Sequence, residues 1–209
     1  MIVLASASPA RAATLRAAGV RHVVRASAVD EGAHLSRRPI RRPPDVALLL
    51  ARAKAEDVAA AGDLPAGALV LGCDSLLELD GETYGKPGDA GTARRCWRRM
   101  RGRSAVLHTG HWLVDAREGG PGGHGGGGVG SATVHFAEVS DAEIEAYLDT
   151  GEPLQVAGGF TVDGLGGAFV TGIEGDHHTV VGLSLPLLRR LVAGVGIAWP
   201  HLWRDYPQP

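Results

Sequence analysis

A chain of 209 residues, 44% of them hydrophobic and with a mean hydropathy of +0.02, can bury a sizeable core as one large or two-lobed domain, which excludes a disordered or fibrous protein. Its net charge of -2 offers no overall field for a polyanion such as DNA, and two cysteines, Cys73 and Cys96, are too few for a disulfide framework or a four-cysteine zinc site. No run of about 18 apolar residues occurs and Met1 to Ala7 lacks the basic and apolar regions of a signal peptide, so a soluble, cytoplasmic protein with no membrane span is expected.

Ile2 to Ala5 reads as a short buried strand. Ser8 as N-cap, Pro9 at the first helical position and Gly19 after the last turn then predict a helix. Strand, hydroxyl-bearing turn and helix together form a candidate phosphate cradle, with Ser6, Ser8 and Arg11 around free backbone N–H groups. Ser8 acting only as a cap is the simpler account of that serine alone. An acidic pair, Asp30 and Glu31, precedes an arginine- and proline-rich stretch from Arg37 to Pro44 that reads as a loop. From Asp45 to Gly62 the pattern is helical, and Val46, Leu50, Lys54 and Val58 share one stripe, so Lys54 either snorkels to the rim or points into a cleft.

Ala68 to Gly72 is an apolar run suited to a buried strand, and it delivers Asp74 and Ser75 at its end. Leu76 to Tyr84 predicts a hairpin turning at Asp80-Gly81 in a type I′ turn, followed by Lys86 between Gly85 and Pro87. Asp89 caps a helix to about Arg101 with Ala93, Cys96, Trp97 and Met100 facing inward and arginines outward. Ser104 to Asp115 and Val129 to Glu138 read as strands around a flexible glycine-rich loop at about 119–130, where nine of twelve residues are Gly. Ser140 and Glu143 form a capping box, Ala168 to Ile173 resembles a strand, and a last helix covers about Leu185 to Val192 before a short tail at 199–209. With 5% aromatics, the core is expected to be mostly Val, Leu, Ile and Ala.

Common signatures fail. Gly81 to Pro87 has one spacer too few for a Walker A loop and Pro where a hydroxyl belongs; Gly182 to Pro186 lacks the second glycine of a nucleophile elbow. The pairs His108/His111 and His177/His178 have no third metal ligand in evident spacing and read as surface or core residues. What remains is Ser6, Ser8, Arg11, the acidic pair Asp30 and Glu31, Lys54, Asp74 and Lys86, and of 21 basic residues Lys54 and Lys86 are the only lysines. Together these supply what a triphosphate requires: cations and N–H donors for its oxygens, carboxylates for a divalent metal and for orienting a water.

LASASPAR at the start, LGCDS, GKP at 85–87, AGGFTVDGLGG and GDHHTVVGLSL occur in that order, and together they resemble the Maf family of nucleoside triphosphate pyrophosphatases. The resemblance spans all but the glycine tract and the last residues. It implies an α/β fold with an elongated mixed sheet and flanking helices, two lobes around a deep cleft, similar to inosine triphosphate pyrophosphatases. It also implies hydrolysis of a nucleoside triphosphate between its α- and β-phosphates, a divalent cation (Mg2+ or Mn2+), and a homodimer. By the same resemblance Asp74 is the acidic base, Glu31 the second catalytic acid, and Ser8, Arg11, Lys54 and Lys86 contact phosphates; Asp74 at the end of a buried strand and Glu31 on a loop are further expected to bind the metal together. Positions linked to base selectivity fall on Ala10, Ser75 and Asp163, which depart from the family's usual Arg, Thr and Gln. Two other readings stand beside this one: a nucleotide sensor acting in septum formation, and a nucleic-acid-binding module using the arginines at 37–42 and 94–103. Burial of Trp97 and a solvated arginine face weigh against the latter, so no nucleic acid is expected.

Overall fold

A computed structural model describes residues 1–36, 40, 42–117 and 125–204. Seven strands form one mixed sheet: β1 (Ile2–Leu4), β2 (His22–Val24), β3 (Leu69–Leu79), β4 (Glu82–Tyr84), β5 (Ser104–Asp115), β6 (Gly125–Phe136) and β7 (Val170–Glu174). The order is β2-β1-β3-β5-β6-β7, parallel from β2 to β3 and antiparallel from β3 to β7, with β4 paired to β3. Seven α-helices flank it: α1 (Pro9–Ala17), α2 (Glu31–Ser36), α3 (Pro43–Ala60), α4 (Ala90–Met100), α5 (Asp141–Asp149), α6 (His177–Val181) and α7 (Leu185–Gly194). Among the described residues no helix is long and apolar enough to cross a membrane.

The 11-residue strand β3 organises the rest, because alternate residues face opposite sides of the sheet. Leu69, Leu71 and Cys73 enter a cluster with Leu15 of α1 and Leu188 of α7. Val70 faces the other way, into a cluster with Ala55 and Val58 of α3. Farther along, Leu77 and Leu79 belong to a third core under α4 and α5, built around fully buried Trp97. One strand thus serves two lobes. Trp97 meets Phe136, Tyr147 and Phe169 edge-on at centroid distances of 5.7, 5.5 and 5.6 Å, while its indole N–H donates to the Gly159 carbonyl at 2.9 Å. The expected aliphatic core describes the first two clusters; the third gathers most of the chain's few aromatic rings.

On one edge of β3, β1 pairs with Leu69–Leu71 and β4 with Leu77–Leu79, which leaves residues 72–76 without a strand neighbour on that side. This gap between the lobes contains Asp74. The type I′ turn that folds β4 back is confirmed by positive φ at both Asp80 (56°) and Gly81 (76°).

Helix caps fall where the sequence placed them, at Ser8, Asp89 and Ser140 with its reciprocal Glu143. Three expectations need correction. Pro43 and Pro44 open α3 instead of ending a loop, because the first helical turn needs no N–H from them; residues 37–39 and 41 of that stretch lie outside the described residues. Residues 125–130 of the supposed loop are the start of β6, whereas 119–124 lie outside the described residues. Glycine is required there by packing: a Cβ on Gly127 would lie 2.3 Å from Trp112 Cε3, and one on Gly130 would lie 2.5 Å from Thr179 Oγ1. Lastly, the supposed tail is partly built in, since Trp199–Leu202 forms a 3-10 turn and Trp203 bridges to Val20.

His111 illustrates how completely β5 is enclosed. Fully buried, it meets the Thr109 carbonyl through Nδ1 and accepts the Ser184 N–H through Nε2, which fixes a neutral ring. Burial pulls its pKa down from 6.5 to about 4. Above pH 6.5 neither folded nor unfolded chain protonates here. Between 6.5 and 4 the unfolded chain takes a proton that the fold refuses, so stability is lost as pH falls. The loss attributable to this residue by pH 4 is about 3 kcal/mol. Melting temperature measured from pH 7.5 to 4.5 should therefore fall more steeply for the wild type than for His111→Asn; parallel curves would contradict the assignment.

Candidate active site

Asp74 is delivered to the gap by β3, on the face covered by α3. The helix approaches unusually closely because the sheet residues beneath it are glycines: a Cβ on Gly72 would lie 2.0 Å from the Ala51 carbonyl oxygen, and one on Gly110 2.3 Å from that of Ala47. This seating lets Lys54, midway along α3, reach Asp74. Lys54 Nζ lies 2.6 Å from Asp74 Oδ1 and 2.6 Å from Glu31 Oε1. Two carboxylates remote in sequence thus meet on one ammonium group. Asp74 and Lys54 side chains are only 10% and 13% exposed, whereas Glu31 is 51% exposed, so the cluster opens toward solvent on the Glu31 side. The acidic pair divides its labour: Asp30 Oδ1 accepts the Ala33 N–H at 2.9 Å and caps α2, freeing Glu31 for Lys54.

Burial raises the pKa of Asp74, against the opposing pull of Lys54 and Arg11. A carboxylate so placed is a stronger base than an exposed one and still ionises with two cations near it. As for a metal, no group of three His, Cys, Asp or Glu ligands occurs among the described residues. The donor set fits Mg2+ or Mn2+ nonetheless, because such ions commonly take one or two carboxylates and complete their shell with water and phosphate oxygens.

Arg11 ties the gap together. Nε donates to the Gly182 carbonyl at 2.8 Å, Nη1 to Ser6 Oγ at 3.0 Å and the Cys73 carbonyl at 2.8 Å, and Nη2 to Ser75 Oγ at 3.0 Å. Four of five N–H donors are thereby used on neutral acceptors, and Arg11 makes no direct ion pair with a carboxylate among the described residues. Ser75 and Thr109 hydroxyls lie 2.9 Å apart beyond it. The first turn of α1 offers less than the sequence suggested. Ser6 is buried and accepts the Ser8 N–H at 3.2 Å, Ser8 Oγ accepts the Arg11 N–H at 3.4 Å, and Pro9 has no N–H. Ser6 therefore shapes the turn, and the Ala10 N–H has no partner among the described residues.

Lys86 is not among the bonded partners of the Lys54 cluster. Tyr84 sits opposite Leu77, so the chain leaving β4 heads toward the gap, and Gly85 is anchored there by accepting the Gly158 N–H at 3.0 Å. Lys86 is exposed, with no hydrogen bond or ion pair among the described residues. Ala10 and Asp163 share a groove of about 350 Å³ with Thr14, His177, His178 and Leu185, whereas Ser75 lies in the Arg11 network. Sequence reasoning missed Gly72 and Gly110, whose role is to admit α3. It also missed Thr109, which carries no motif signal of its own.

The arginine-rich face of α4 is neutralised by carboxylates. Arg94 pairs with Glu145, Arg98 and Arg101 with Asp141, Arg99 with Glu82, and Arg103 with Asp80. Arg95 bonds the Thr92 hydroxyl.

The family model described as Maf-like protein matches residues 1–195. A protein of Salinispora tropica named nucleoside triphosphate pyrophosphatase is 54% identical over 206 residues, covering 97% of this chain and 87% of the relative. Its namesake in Rhodococcus opacus is 53% identical over 205 residues, 96% of this chain and 95% of the relative. One from Mycobacterium ulcerans is 48% identical over 214 residues, 100% of this chain and 99% of the relative. A solved dITP/XTP pyrophosphatase from Mycobacterium abscessus bears a slight likeness, at a TM-score of 0.37 and 19% identity over 66% of this chain and 75% of that one.

Proposed function

The chain belongs to the Maf-like protein family, and on that premise we propose that it hydrolyses nucleoside triphosphates at the α–β phosphoanhydride, releasing a nucleoside monophosphate and pyrophosphate. The observation that carries the reading is Lys54 Nζ held at 2.6 Å from both Asp74 and Glu31, beside a gap in which Arg11 bonds neutral acceptors. A triphosphate needs cations not already bonded to carboxylates to neutralise it, and Arg11 and Lys86, neither in a direct ion pair among the described residues, answer that need. The Ala10 N–H and the positive end of the α1 dipole add a directed donor for a phosphate oxygen.

In the reaction, Asp74 accepts the proton of the attacking water. Burial raises its pKa and so makes it a stronger base than an exposed aspartate, and Lys54 holds its orientation. Asp74 and Glu31 are the residues that would hold Mg2+ or Mn2+, which supplies charge neutralisation and a more acidic water. Lys54 offsets the negative charge of the two carboxylates in a partly buried site. Arg11 keeps β1, β3 and the turn after α6 in register around the phosphates. Base selectivity is assigned to the groove bearing Ala10 and Asp163, with Ser75 acting through Arg11. The enzyme would work in the cytoplasm, where its substrates are.

Purified protein incubated with a panel of canonical and methylated triphosphates should release pyrophosphate with Mg2+ or Mn2+. A chelator should abolish release, and added metal should restore it. Undiminished turnover in the chelator would remove the metal from the mechanism, and orthophosphate as the sole inorganic product would mean a different bond is cut.

A further inference from the structure

Glu152 lies outside the site described above, yet its carboxylate is unusually well occupied. Oε1 accepts the Tyr147 hydroxyl at 2.7 Å, the Thr161 hydroxyl at 2.6 Å and the Gly166 N–H at 3.1 Å, and Oε2 accepts the Leu165 N–H at 3.1 Å. One side chain thus collects two hydroxyls and two backbone amides, from α5 and from both ends of residues 161–166. The wrapping is tight: a Cβ on Gly164 would lie 2.7 Å from Glu152 Oε2, and one on Gly166 2.5 Å from the Tyr147 hydroxyl. At the apex of the wrapped segment, Asp163 and Leu165 are exposed, Leu165 to 59%, and Asp163 lines the groove against α1. A loop with so little apolar burial at its tip would ordinarily fluctuate. Here its shape is imposed from the inside by a charge.

We propose that Glu152 is a positioning residue that holds residues 161–166 as a preformed wall, so that Asp163 meets the substrate on the α1 side of the groove. Charge-assisted hydrogen bonds of this kind are about twice as strong as neutral ones, which lets a single carboxylate fix a loop. Its ionised state fits the role: burial alone would raise its pKa, but the Thr161, Tyr147 and backbone donors outweigh burial and bring it below the usual value. Ordering the wall before the substrate arrives lowers the entropic cost of binding. The consequence falls on KM and not on the chemical step, because Asp74, Glu31 and Lys54 sit on other elements.

The proposal rests on the pyrophosphatase reading, so its test has one arm that does not. In Glu152→Ala, amide hydrogen exchange at Leu165 and Gly166 should accelerate at least tenfold, with strands β3 and β5 as protected as in the wild type. For the preferred triphosphate KM should rise at least tenfold with kcat within threefold. Thr161→Val, which deletes one of the four bonds, should give a smaller KM increase and guards against Glu152→Ala failing to fold. Unchanged exchange at the two amides overturns the proposal whatever the activity. Fast exchange with unchanged KM, or a fall in kcat alone, overturns the substrate-facing role. A wild type that releases no pyrophosphate from any triphosphate sinks the functional reading and leaves the loop-fixing claim to the exchange arm.

Discussion

Replacing Asp74 by Asn is expected to lower kcat/KM for triphosphate hydrolysis by about a thousandfold, within the range found when a general base is removed. Asn keeps the shape and can still accept the bond that Lys54 Nζ makes to Oδ1 at 2.6 Å, but it cannot take a proton from water. The fold should survive. Burial opposes the charge of Asp74, so a neutral amide relieves a desolvation cost while weakening the attraction to Lys54, and the net change should stay within about 1 kcal/mol. The pH profile gives an independent sign. Because burial raises the pKa of Asp74, the wild-type kcat/KM should climb with pH through a midpoint above the ordinary aspartate value of 3.8. The residual rate of Asp74→Asn should lack that limb. A variant turning over at near wild-type rate, with the limb intact, would take Asp74 out of the chemistry.

Gly72→Ala should damage stability and activity together. The new methyl would lie 2.0 Å from the Ala51 carbonyl oxygen and 2.8 Å from the Ala55 nitrogen, and backbone atoms of a long helix cannot step aside individually. The relief available is for α3 to lift from β3, at a cost of about 3 kcal/mol, which corresponds to a drop of roughly 6–12 °C in Tm for a domain of this size. Lys54 lies on the turn between those two residues and moves with the helix, so its contacts with Asp74 and Glu31 lengthen. The expected signature is a fall in kcat measured well below the new Tm. Gly194→Ala is the control, since a Cβ there has nothing within 4 Å, and its Tm should be unchanged or slightly higher. A fully active Gly72→Ala of normal stability would show that the close approach of α3 has no part in building the site.

Features legible in the sequence were those decided within a few residues. Ser8-Pro9, Asp80-Gly81, Asp89 and Ser140 with Glu143 act through caps and turns whose partners are two or three positions away, and each appears where expected. The short helices α2 and α6 were not anticipated, because six and five residues carry no readable period and their stability comes from packing. The glycine tract was misread for a related reason. Glycine's conformational freedom suggests a loop, but at Gly127 and Gly130 the missing side chain makes room for Trp112 and Thr179 from other elements. At the site, Lys54 stood out because it interrupts an apolar stripe, and the choice between rim and cleft was settled by Asp74, 20 residues away. Ser6 looked like a ligand donor because its type and place fit; its inward direction depends on Arg11 and on the local turn. Lys86 was recognisable as one of two lysines, yet the course of the chain that carries it depends on where β4 ends.

The most direct measurement follows a nucleoside triphosphate by 31P NMR in the presence of Mg2+, with wild type and Asp74→Asn side by side. Monophosphate and pyrophosphate signals should grow in equal amounts with the wild type, with neither diphosphate nor orthophosphate accumulating, and the variant's sample should stay as triphosphate. Diphosphate appearing with orthophosphate, or equal product formation by both proteins, would contradict a pyrophosphate-releasing centre built on Asp74.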